Sequence, residues 1–398
     1  CMASTLVPPR ISPRPSPLLM LQTLGKREAA MPFIMLTVLI DMLAIGLIIP
    51  VLPALVGVLS GNPADQVYWY GLAAMSFGLA NFLASPVLGA LSDKFGRRPV
   101  LLLGFMGLGV SFFGTALTPN LWGLIAVRTM GGAMQSNAAI ANAYVADITE
   151  PEKRAKRFGL LGAMMGLGFI VGPVMGGLLG AIDLKLPFWV AGGLAMLNLL
   201  YGYFVLPESL PADQRKSLNW GAFNPVKAFR DLAGLKGVRA LVGVVVFSGL
   251  AQFILYTSWV LYNTFKFGWG PLENGWSLAV VGVVSVIVQG VLMGRLIKRF
   301  GPQRLAVMGL ISSVMAYALW GAASEGWMMY AVIAFNLLGG TVAASVQSLI
   351  SSAADSKSQG QTLGAVSALN GLMAVVAPLI ATPLLAAVSH LPQGDWRI

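Results

Sequence analysis

Two ionisable side chains lie inside long apolar stretches of this sequence, where a charge is costly. Asp41 stands in IDMLAIGLIIPVLP, and Arg128 stands in AVRTMGGAMQ. Because burial disfavours the charged form, a carboxylate in hydrocarbon tends to take up a proton. Asp41 is therefore interpreted as a proton carrier or as the counter-charge of a cationic compound. A hydrogen bond between helices is the structural alternative.

Arg128 is predicted to lie near Asp41 within the membrane. At ~1.5 Å of rise per residue, the two side chains enter from opposite faces and reach similar depths. We therefore expect a charge interaction between them, direct or through water, and a purely structural ion pair is the alternative. Gln135, Asn137 and Asn142 add polar groups to the helix that carries Arg128.

Composition predicts the elements that position these residues. The 398 residues are 57% hydrophobic and 10% charged, whereas soluble domains carry about 25% charged residues. This predicts an all-α integral membrane protein and excludes a soluble enzyme. The formal net charge of +11 is attributed to basic loops, not to nucleic-acid binding. Since Cys1 and His390 are the single cysteine and histidine, we expect no disulfide, metal site or cofactor.

Apolar runs of roughly 20 residues follow one another from Met31 and predict eleven transmembrane helices. They cover residues 32–58, 67–91, 99–118, 121–146, 158–181, 187–206, 239–263, 274–297, 304–323, 327–351 and 361–389. Residues 1–30 are predicted to be a disordered cytoplasmic lead. Residues 31–206 are predicted to form a six-helix bundle, residues 207–238 a cytoplasmic linker, and residues 239–398 a five-helix bundle.

The positions of Lys and Arg predict the orientation. Of the 26 basic residues, 22 fall in the lead, the linker and the loops of one face. The other face has Lys185, Lys266 and Arg397, and Arg128 lies within a helix. Because short loops rich in Lys and Arg stay in the cytoplasm, the N-terminus and the linker are predicted to be cytoplasmic.

The two halves of the chain repeat one another. Residues of the first half recur 205 to 208 positions later, namely Gly89, Phe95, Gly96, Gly132, Asp147 and Pro173 as Gly294, Phe300, Gly301, Gly340, Asp355 and Pro378. Such spacing predicts a duplicated bundle with a substrate site at mid-membrane between the halves. Lys298 stands where the first half has Asp93, so the halves are not functionally equivalent.

A dense charged segment, GALSDKFGRRPVLLLG, separates the second and third predicted helices. Its charges cannot lie in hydrocarbon, so it is predicted to be a tight loop at a membrane face. Asp147 ends the fourth helix on the same face. These residues are predicted to form a cytoplasmic gate, with members Gly89, Asp93, Gly96, Arg97, Arg98 and Asp147.

Glycines also repeat every four residues along the fifth predicted helix, at Gly168, Gly172, Gly176 and Gly180. They give one smooth helical face that admits close packing. Pro173 adds a bend.

Three segments resemble one transporter family. GALSDKFGRRPVL is similar to the loop between the second and third helices of the major facilitator superfamily, in particular its drug–proton antiporters of the tetracycline efflux type. The spacing of Asp41, Gly46, Pro50 and Pro53 matches their first-helix signature. LGFIVGPVMGG matches their fifth-helix antiporter motif, whose members here are Gly168, Gly172, Pro173, Gly176 and Gly177.

The resemblance implies two pseudo-symmetric bundles that alternate access to a central site in the bacterial cytoplasmic membrane. It implies that Arg128 takes part in proton coupling with Asp41. It also implies that Asp93 meets the start of the eleventh helix, near residues 360–361, when the transporter opens outward. A monomer without a cofactor is expected.

The sequence departs from the tetracycline efflux pattern in two respects. Ser285 and Ser313 stand where those proteins usually carry a His and an Asp, which weakens tetracycline as the substrate. Eleven predicted helices stand where the family has twelve, so we expect the chain to be truncated.

The predicted function is proton-coupled export of amphipathic small molecules, tetracycline-like drugs or related compounds. A proton-coupled metabolite symporter and a non-transporting remnant are the alternatives. Amide and aromatic residues are predicted to line the substrate cavity, namely Gln135, Asn137, Gln252, Tyr256, Trp259 and Gln289, with interfacial aromatics as the alternative interpretation.

Overall fold

The computed structural model describes residues 30–215, 239–353 and 359–398, and within them the chain is helical without strands. The predicted lead except for Ala30, most of the predicted linker and Asp355 lie outside these residues. We use "first half" for residues 31–206 and "second half" for residues 239–388.

The first half consists of eight helices. They are α1 (Met31–Ile48), α2 (Leu52–Ser60), α3 (Pro63–Phe95), α4 (Arg97–Leu117), α5 (Leu121–Met134), α6 (Asn137–Ile148), α7 (Pro151–Ile182) and α8 (Leu186–Phe204).

The second half consists of six further α-helices with two irregular turns between them. The helices are α9 (Arg239–Phe267), α10 (Pro271–Val286), α11 (Met293–Ala322), α12 (Gly326–Phe335), α13 (Val342–Ala353) and α14 (Gln359–Val388). A π-helical turn, Ile287–Leu292, joins α10 to α11, and a 3-10 turn, Asn336–Thr341, joins α12 to α13.

Nine helical segments of the described chain are long and apolar enough to cross a membrane. One of them, Pro271–Ala322, contains two predicted runs that meet at Gly301, whose φ of 74° breaks the helix. The fourth predicted run is divided into α5 and α6, which are each too short to be counted alone. The structure is therefore consistent with the eleven predicted runs and confirms an all-α membrane protein.

Apolar side chains are both inside and outside the molecule. The first half packs large side chains such as Phe105 and Tyr144 into its core. Other large apolar side chains are exposed, among them Trp122, Phe247 and Val314. An apolar exterior around an apolar core is expected of helices that lie in lipid.

The predicted glycine face of α7 packs against α1. A Cβ at Gly172 would lie 2.8 Å from the Cα of Gly46, and one at Gly176 would overlap the carbonyl oxygen of Leu47. Only residues without side chains allow this approach, so the predicted close packing is confirmed.

Two pairs of antiparallel helices join the halves, α7 with α10 and α3 with α14. We call the end of the molecule near residues 93–98, 150–157 and 295–304 the basic end. The end near residues 60–63, 183–186 and 267–271 is the distal end. Three helices of these pairs, α3, α7 and α10, contribute to the walls of the candidate site.

The halves touch at the distal end and separate towards the basic end. Along α7, contacts to α10 run from Gly177 beside Leu272 to Gly166 beside Val286. One turn further, Gly162 and Gly290 would continue the same register, but a Cβ at either position meets no atom of the described chain within 4 Å. Gly89 on α3 is equally open.

Candidate functional site: a cavity between the two halves

A cavity of about 560 Å³ lies between the two halves. Tyr70 and Phe77 of α3 line it from the first half, and Gln252, Tyr256 and Trp259 of α9 line it from the second. The walls are mostly aromatic and aliphatic with a few amide and hydroxyl groups, which is typical of a small-molecule site. We call this space the main cavity.

The structure places three of the six predicted cavity residues on this wall, namely Gln252, Tyr256 and Trp259. Gln289 does not line it. It lies in the π-helical turn Ile287–Leu292, where the side chain is exposed. The sequence interpretation assumed a regular helix through this position, and the π turn changes the direction in which its side chain projects.

An interrupted helix contributes polar groups to the main cavity. The 3-10 turn Asn336–Thr341 interrupts the tenth predicted run and brings Asn336 and Gly340 to the wall. Ser312 donates a hydrogen bond of 3.1 Å to the side-chain oxygen of Asn336. Ser285 lines the same cavity, whereas Ser313 lies beside Gly339.

The fourth predicted run is interrupted at the corresponding place in the first half. It breaks at Gln135 and Ser136, and Asn81 donates a hydrogen bond to the carbonyl oxygen of Gln135. Gly132 allows the close approach, because a Cβ there would overlap the backbone of Phe77. Interrupted helices at matching positions of two repeats are a typical feature of transporter binding sites.

Arg128 lies beside a second cavity, which we call the side cavity. This space of about 250 Å³ is lined mostly by apolar side chains such as Phe77, and its polar members are Tyr70, Arg128 and Gln135. Arg128 is only 8% exposed, and its guanidinium lies 4.3 Å from the centre of the Phe77 ring. Within the described residues it makes no ion pair and no hydrogen bond.

Asp41 lies apart from both cavities. It is 5% exposed, and Asn137 donates a hydrogen bond of 2.9 Å to its carboxylate. The crevice around Asp41, which also contacts Phe105, has no room for a water molecule. Asn137 therefore bonds to Asp41, and the prediction that it lines the main cavity is wrong.

The expected charge interaction between Asp41 and Arg128 does not occur among the described residues. Asn137, the partner of Asp41, follows Arg128 by nine positions, or ~13 Å along a regular helix. The break at Gln135 and Ser136 lies between them. Arg128 thus remains on the distal segment α5, while the Asp41 contact is made by α6.

The predicted gate residues do meet at the basic end. Arg97 forms ion pairs with Asp93 at 2.6 Å and with Asp147 at 3.0 Å. It also donates a hydrogen bond of 2.7 Å to the hydroxyl of Ser92. The segment near residues 360–361, the expected partner of Asp93, has side chains outside the described part of the chain.

The other predicted gate residues have different surroundings. Arg98 donates hydrogen bonds to the carbonyl oxygens of Gly202 and Tyr203 at the end of α8. It therefore ties α4 to α8 within the first half. Gly96 has a φ of 107°, a conformation that favours glycine, and it forms the tight turn between α3 and α4.

Glu208 is a member of this cluster that sequence reasoning missed. Its carboxylate accepts hydrogen bonds from the backbone N–H groups of Arg97 at 2.9 Å and Arg98 at 3.2 Å. A carboxylate at a helix N-terminus is stabilised by the free N–H groups and the helix dipole. The sequence did contain a sign of this role. Glu208 is the single acid in Pro207–Ser209, directly after the sixth predicted run and on the same membrane face as the charged loop.

The residues of the fifth-helix motif lie on two faces of α7. Gly172 and Gly176 face α1, whereas Gly177 lies against Pro271 and Leu272 of α10. A Cβ at Gly275 of α10 would overlap the carbonyl oxygen of Pro173. This segment of α7 thus contacts both halves near the distal end.

Comparison with known proteins identifies relatives over nearly the whole chain. The Major Facilitator Superfamily model matches residues 34–378. The class C tetracycline resistance protein of Escherichia coli is 39% identical, over 93% of both chains. The class D protein of Salmonella ordonez is 34% identical, over 90% of this chain and 91% of the relative.

Solved structures show the same fold at low sequence identity. The nucleoside transporter NupG superposes with a TM-score of 0.75 at 12% identity, over 92% of this chain and 94% of that one. At this identity the likeness concerns the fold alone.

Proposed function

The chain belongs to the major facilitator superfamily, within which it is similar to the tetracycline resistance proteins, and we propose that it exports amphipathic small molecules in exchange for protons. The main cavity is the observation that carries this proposal. It lies between the halves, it is lined by both, and its walls are aromatic. A planar apolar drug would bury most of its surface there.

Asp41 is proposed to carry the exchanged proton. It is a buried acid whose partner is an amide, and an amide can serve either protonation state. The N–H₂ group of Asn137 donates to the carboxylate, and its carbonyl oxygen can accept from the protonated acid. Since the crevice excludes water, proton exchange requires the helices around Asp41 to separate during the cycle.

The basic end is proposed to face the cytoplasm of a bacterial cell. Loops rich in Lys and Arg favour that side. The described structure, closed at the distal end and separated towards the basic end, would then be open to the cytoplasm. An inward proton carries about 2.3 kcal/mol per 100 mV of membrane potential, which can drive export.

Everted membrane vesicles test the proposal. Respiration acidifies the vesicle interior, and tetracycline or another amphipathic compound is then added while acridine orange fluorescence is recorded. An exporter that exchanges protons moves the compound in and protons out, so the fluorescence should recover. A lack of recovery with every compound of a growth-inhibition panel contradicts proton-coupled export, and it is the result expected of both a metabolite symporter and a non-transporting remnant.

Substitution of Asp41 links the proton movement to this residue. Asp41→Asn removes the titratable proton but keeps the size of the side chain, so the vesicles should lose the compound-dependent fluorescence recovery. Asp213→Asn is the matched control, because Asp213 is exposed in a short 3-10 helix away from the cavities. Proton release by Asp41→Asn equal to that of the unmodified protein would remove Asp41 from the mechanism.

A further inference from the structure

We propose that the side cavity is an anion-binding subsite, and that the exported compounds carry an acidic group, a carboxylate or an enolate, on an apolar body. This inference rests on the proposed function, since it assigns the substrate class of the same central site. It starts from Arg128, whose guanidinium is buried and, within the described residues, has neither a hydrogen-bond partner nor an ion-pair partner. A buried cation without a partner is costly, so such a group normally meets an anion.

The charges around the two cavities favour an anion over a cation. Among the described residues that line either cavity, Arg128 is the only charged one. The acid that was expected to pair with Arg128, Asp41, is instead bonded to Asn137 in its own closed crevice. A cationic compound would therefore meet one positive charge and no negative charge.

The polar groups of the side cavity are suited to acidic oxygens. The guanidinium of Arg128 offers five N–H donors in a planar fork, the geometry that recognises carboxylates. The amide of Gln135 and the hydroxyl of Tyr70 can donate from neighbouring parts of the same wall. Hydrogen bonds in which both partners are charged are the stronger ones, so Arg128 would contribute most.

The two cavities adjoin one another, which allows a single molecule to occupy both. Ile49, Tyr70 and Phe77 belong to the walls of each. An apolar body would lie against the aromatic side chains of the main cavity, such as Tyr256 and Trp259. Its acidic group would then enter the side cavity and displace the guanidinium from the Phe77 ring.

Three fluorescent probes that differ in one functional group test this inference. The probes are 1-pyrenebutyrate, 1-pyrenebutanol and 1-pyrenebutylamine, which are anionic, neutral and cationic at neutral pH. Binding to the purified full-length chain is followed by energy transfer from tryptophan, since Trp259 and Trp320 line the main cavity. We expect the butyrate to bind at least about tenfold more tightly than the amine.

Substitution of Arg128 should remove this preference selectively. In Arg128→Gln, the affinity for the butyrate should fall about tenfold, while that for the butanol stays within about twofold. Arg397→Gln is the matched control, because it removes the same charge from an exposed arginine that pairs with Asp395. The control should bind all three probes as the unmodified protein does.

The inference is overturned if the unmodified protein binds the amine as tightly as the butyrate. It is also overturned if folded Arg128→Gln binds the butyrate without loss, since Arg128 would then serve another group, such as Asp41 in a different conformation. If Arg128→Gln does not fold, the test uses Arg128→Lys instead. The relative affinities of the unmodified protein for the three probes then still decide whether an anion is preferred. Binding is measured without a proton gradient, so a protein that binds the butyrate but releases no protons contradicts the proposed function alone.

Discussion

Asp41 has one described partner, the amide of Asn137, whose own carbonyl oxygen has none. Rotation of that amide by half a turn would present the oxygen to a protonated Asp41. The pair can therefore be satisfied before and after proton uptake without a second charge in the crevice. This explains how Asp41 can be buried away from Arg128.

Glu208 is the residue on which the turn between α3 and α4 depends. Glu208→Gln replaces one accepting oxygen by an N–H₂ group that cannot accept from the N–H of Arg97 or Arg98. It also removes the negative charge at the N-terminus of α4. We expect a loss of about 1–2 kcal/mol of stability, seen as a lower Tm of the purified protein in detergent.

Glu325→Gln provides the matched control for Glu208. Glu325 precedes α12 at the distal end, where its side chain is exposed and makes no capping hydrogen bond. Its replacement should lower Tm much less than Glu208→Gln does, because solvent screens the exposed carboxylate and no hydrogen bond is lost. An equal Tm for Glu208→Gln and the unmodified protein would show that water satisfies these N–H groups as well as the carboxylate does.

At the scale of helices, the glycines of α7 have different tasks although they share one motif. Gly172 and Gly176 bring α7 against the backbone of α1 within the first half, whereas Gly177 faces α10 across the junction of the halves. The fifth-helix motif thus couples packing within a half to packing between halves, on neighbouring faces of one helix.

Gly176→Ala tests the packing of α7 on α1. The new methyl group would overlap the carbonyl oxygen of Leu47, and a backbone atom cannot rotate away. The helices must separate, so we expect a loss of about 1–3 kcal/mol and a lower Tm, followed by fluorescence-detected size-exclusion chromatography after heating.

Gly193→Ala is the control for this substitution. Gly193 lies within α8, and a Cβ there meets no described atom within 4 Å. Alanine favours a helix over glycine by roughly 1 kcal/mol, so Tm should stay equal or rise. Equal Tm changes in both variants would refute the close α1–α7 contact.

At the scale of the whole molecule, the two halves diverge from a common contact at the distal end. The proposed exchange would require the opposite arrangement as well, in which the basic end is closed. Gly162 of α7 and Gly290 of α10 continue the register of the distal contacts but have no neighbours in the described structure. Two glycines at these positions would allow the helices to approach when the distal end opens.

Pairs of introduced cysteines distinguish the two arrangements in a background in which Cys1 is replaced by serine. Gly180→Cys with Pro271→Cys should cross-link readily and block transport, because a Cβ at Gly180 lies 3.2 Å from the Cβ of Pro271. Gly162→Cys with Gly290→Cys should cross-link only while the protein transports. For the readout, the two halves are expressed as separate polypeptides. A disulfide between them then appears on a non-reducing denaturing gel as a band of the combined mass.

The cross-linking rate of the Gly162 and Gly290 pair shows whether the basic end is open or closed at rest. If the Gly162 and Gly290 pair cross-links as fast as the distal pair without substrate and gradient, the basic end is closed at rest. Reduction of the distal cross-link should restore transport, which excludes simple inactivation by the cysteines.

The fold could be predicted from the sequence because its determinants are local. Runs of apolar residues of membrane-spanning length, the charged loop from Gly89 to Gly104 and the glycine face of α7 each appear as a pattern within one segment. The ion pair between Arg97 and Asp93 also joins two residues of one segment, four positions apart. The direction of Gln289 was predicted wrongly, because it lies in a turn whose hydrogen bonding the residue pattern does not reveal.

The sequence by itself determined which side chains are charged, which are buried in apolar runs, and that a membrane bundle must hold them. Only the tertiary structure decided their surroundings: Asn137 beside Asp41, Glu208 at the start of α4, and the Phe77 ring and the side cavity beside Arg128. The reason is that partners across helices depend on helix rotation and on breaks such as that at Gln135 and Ser136. These are set by the packing of many distant residues together, and no local pattern records them.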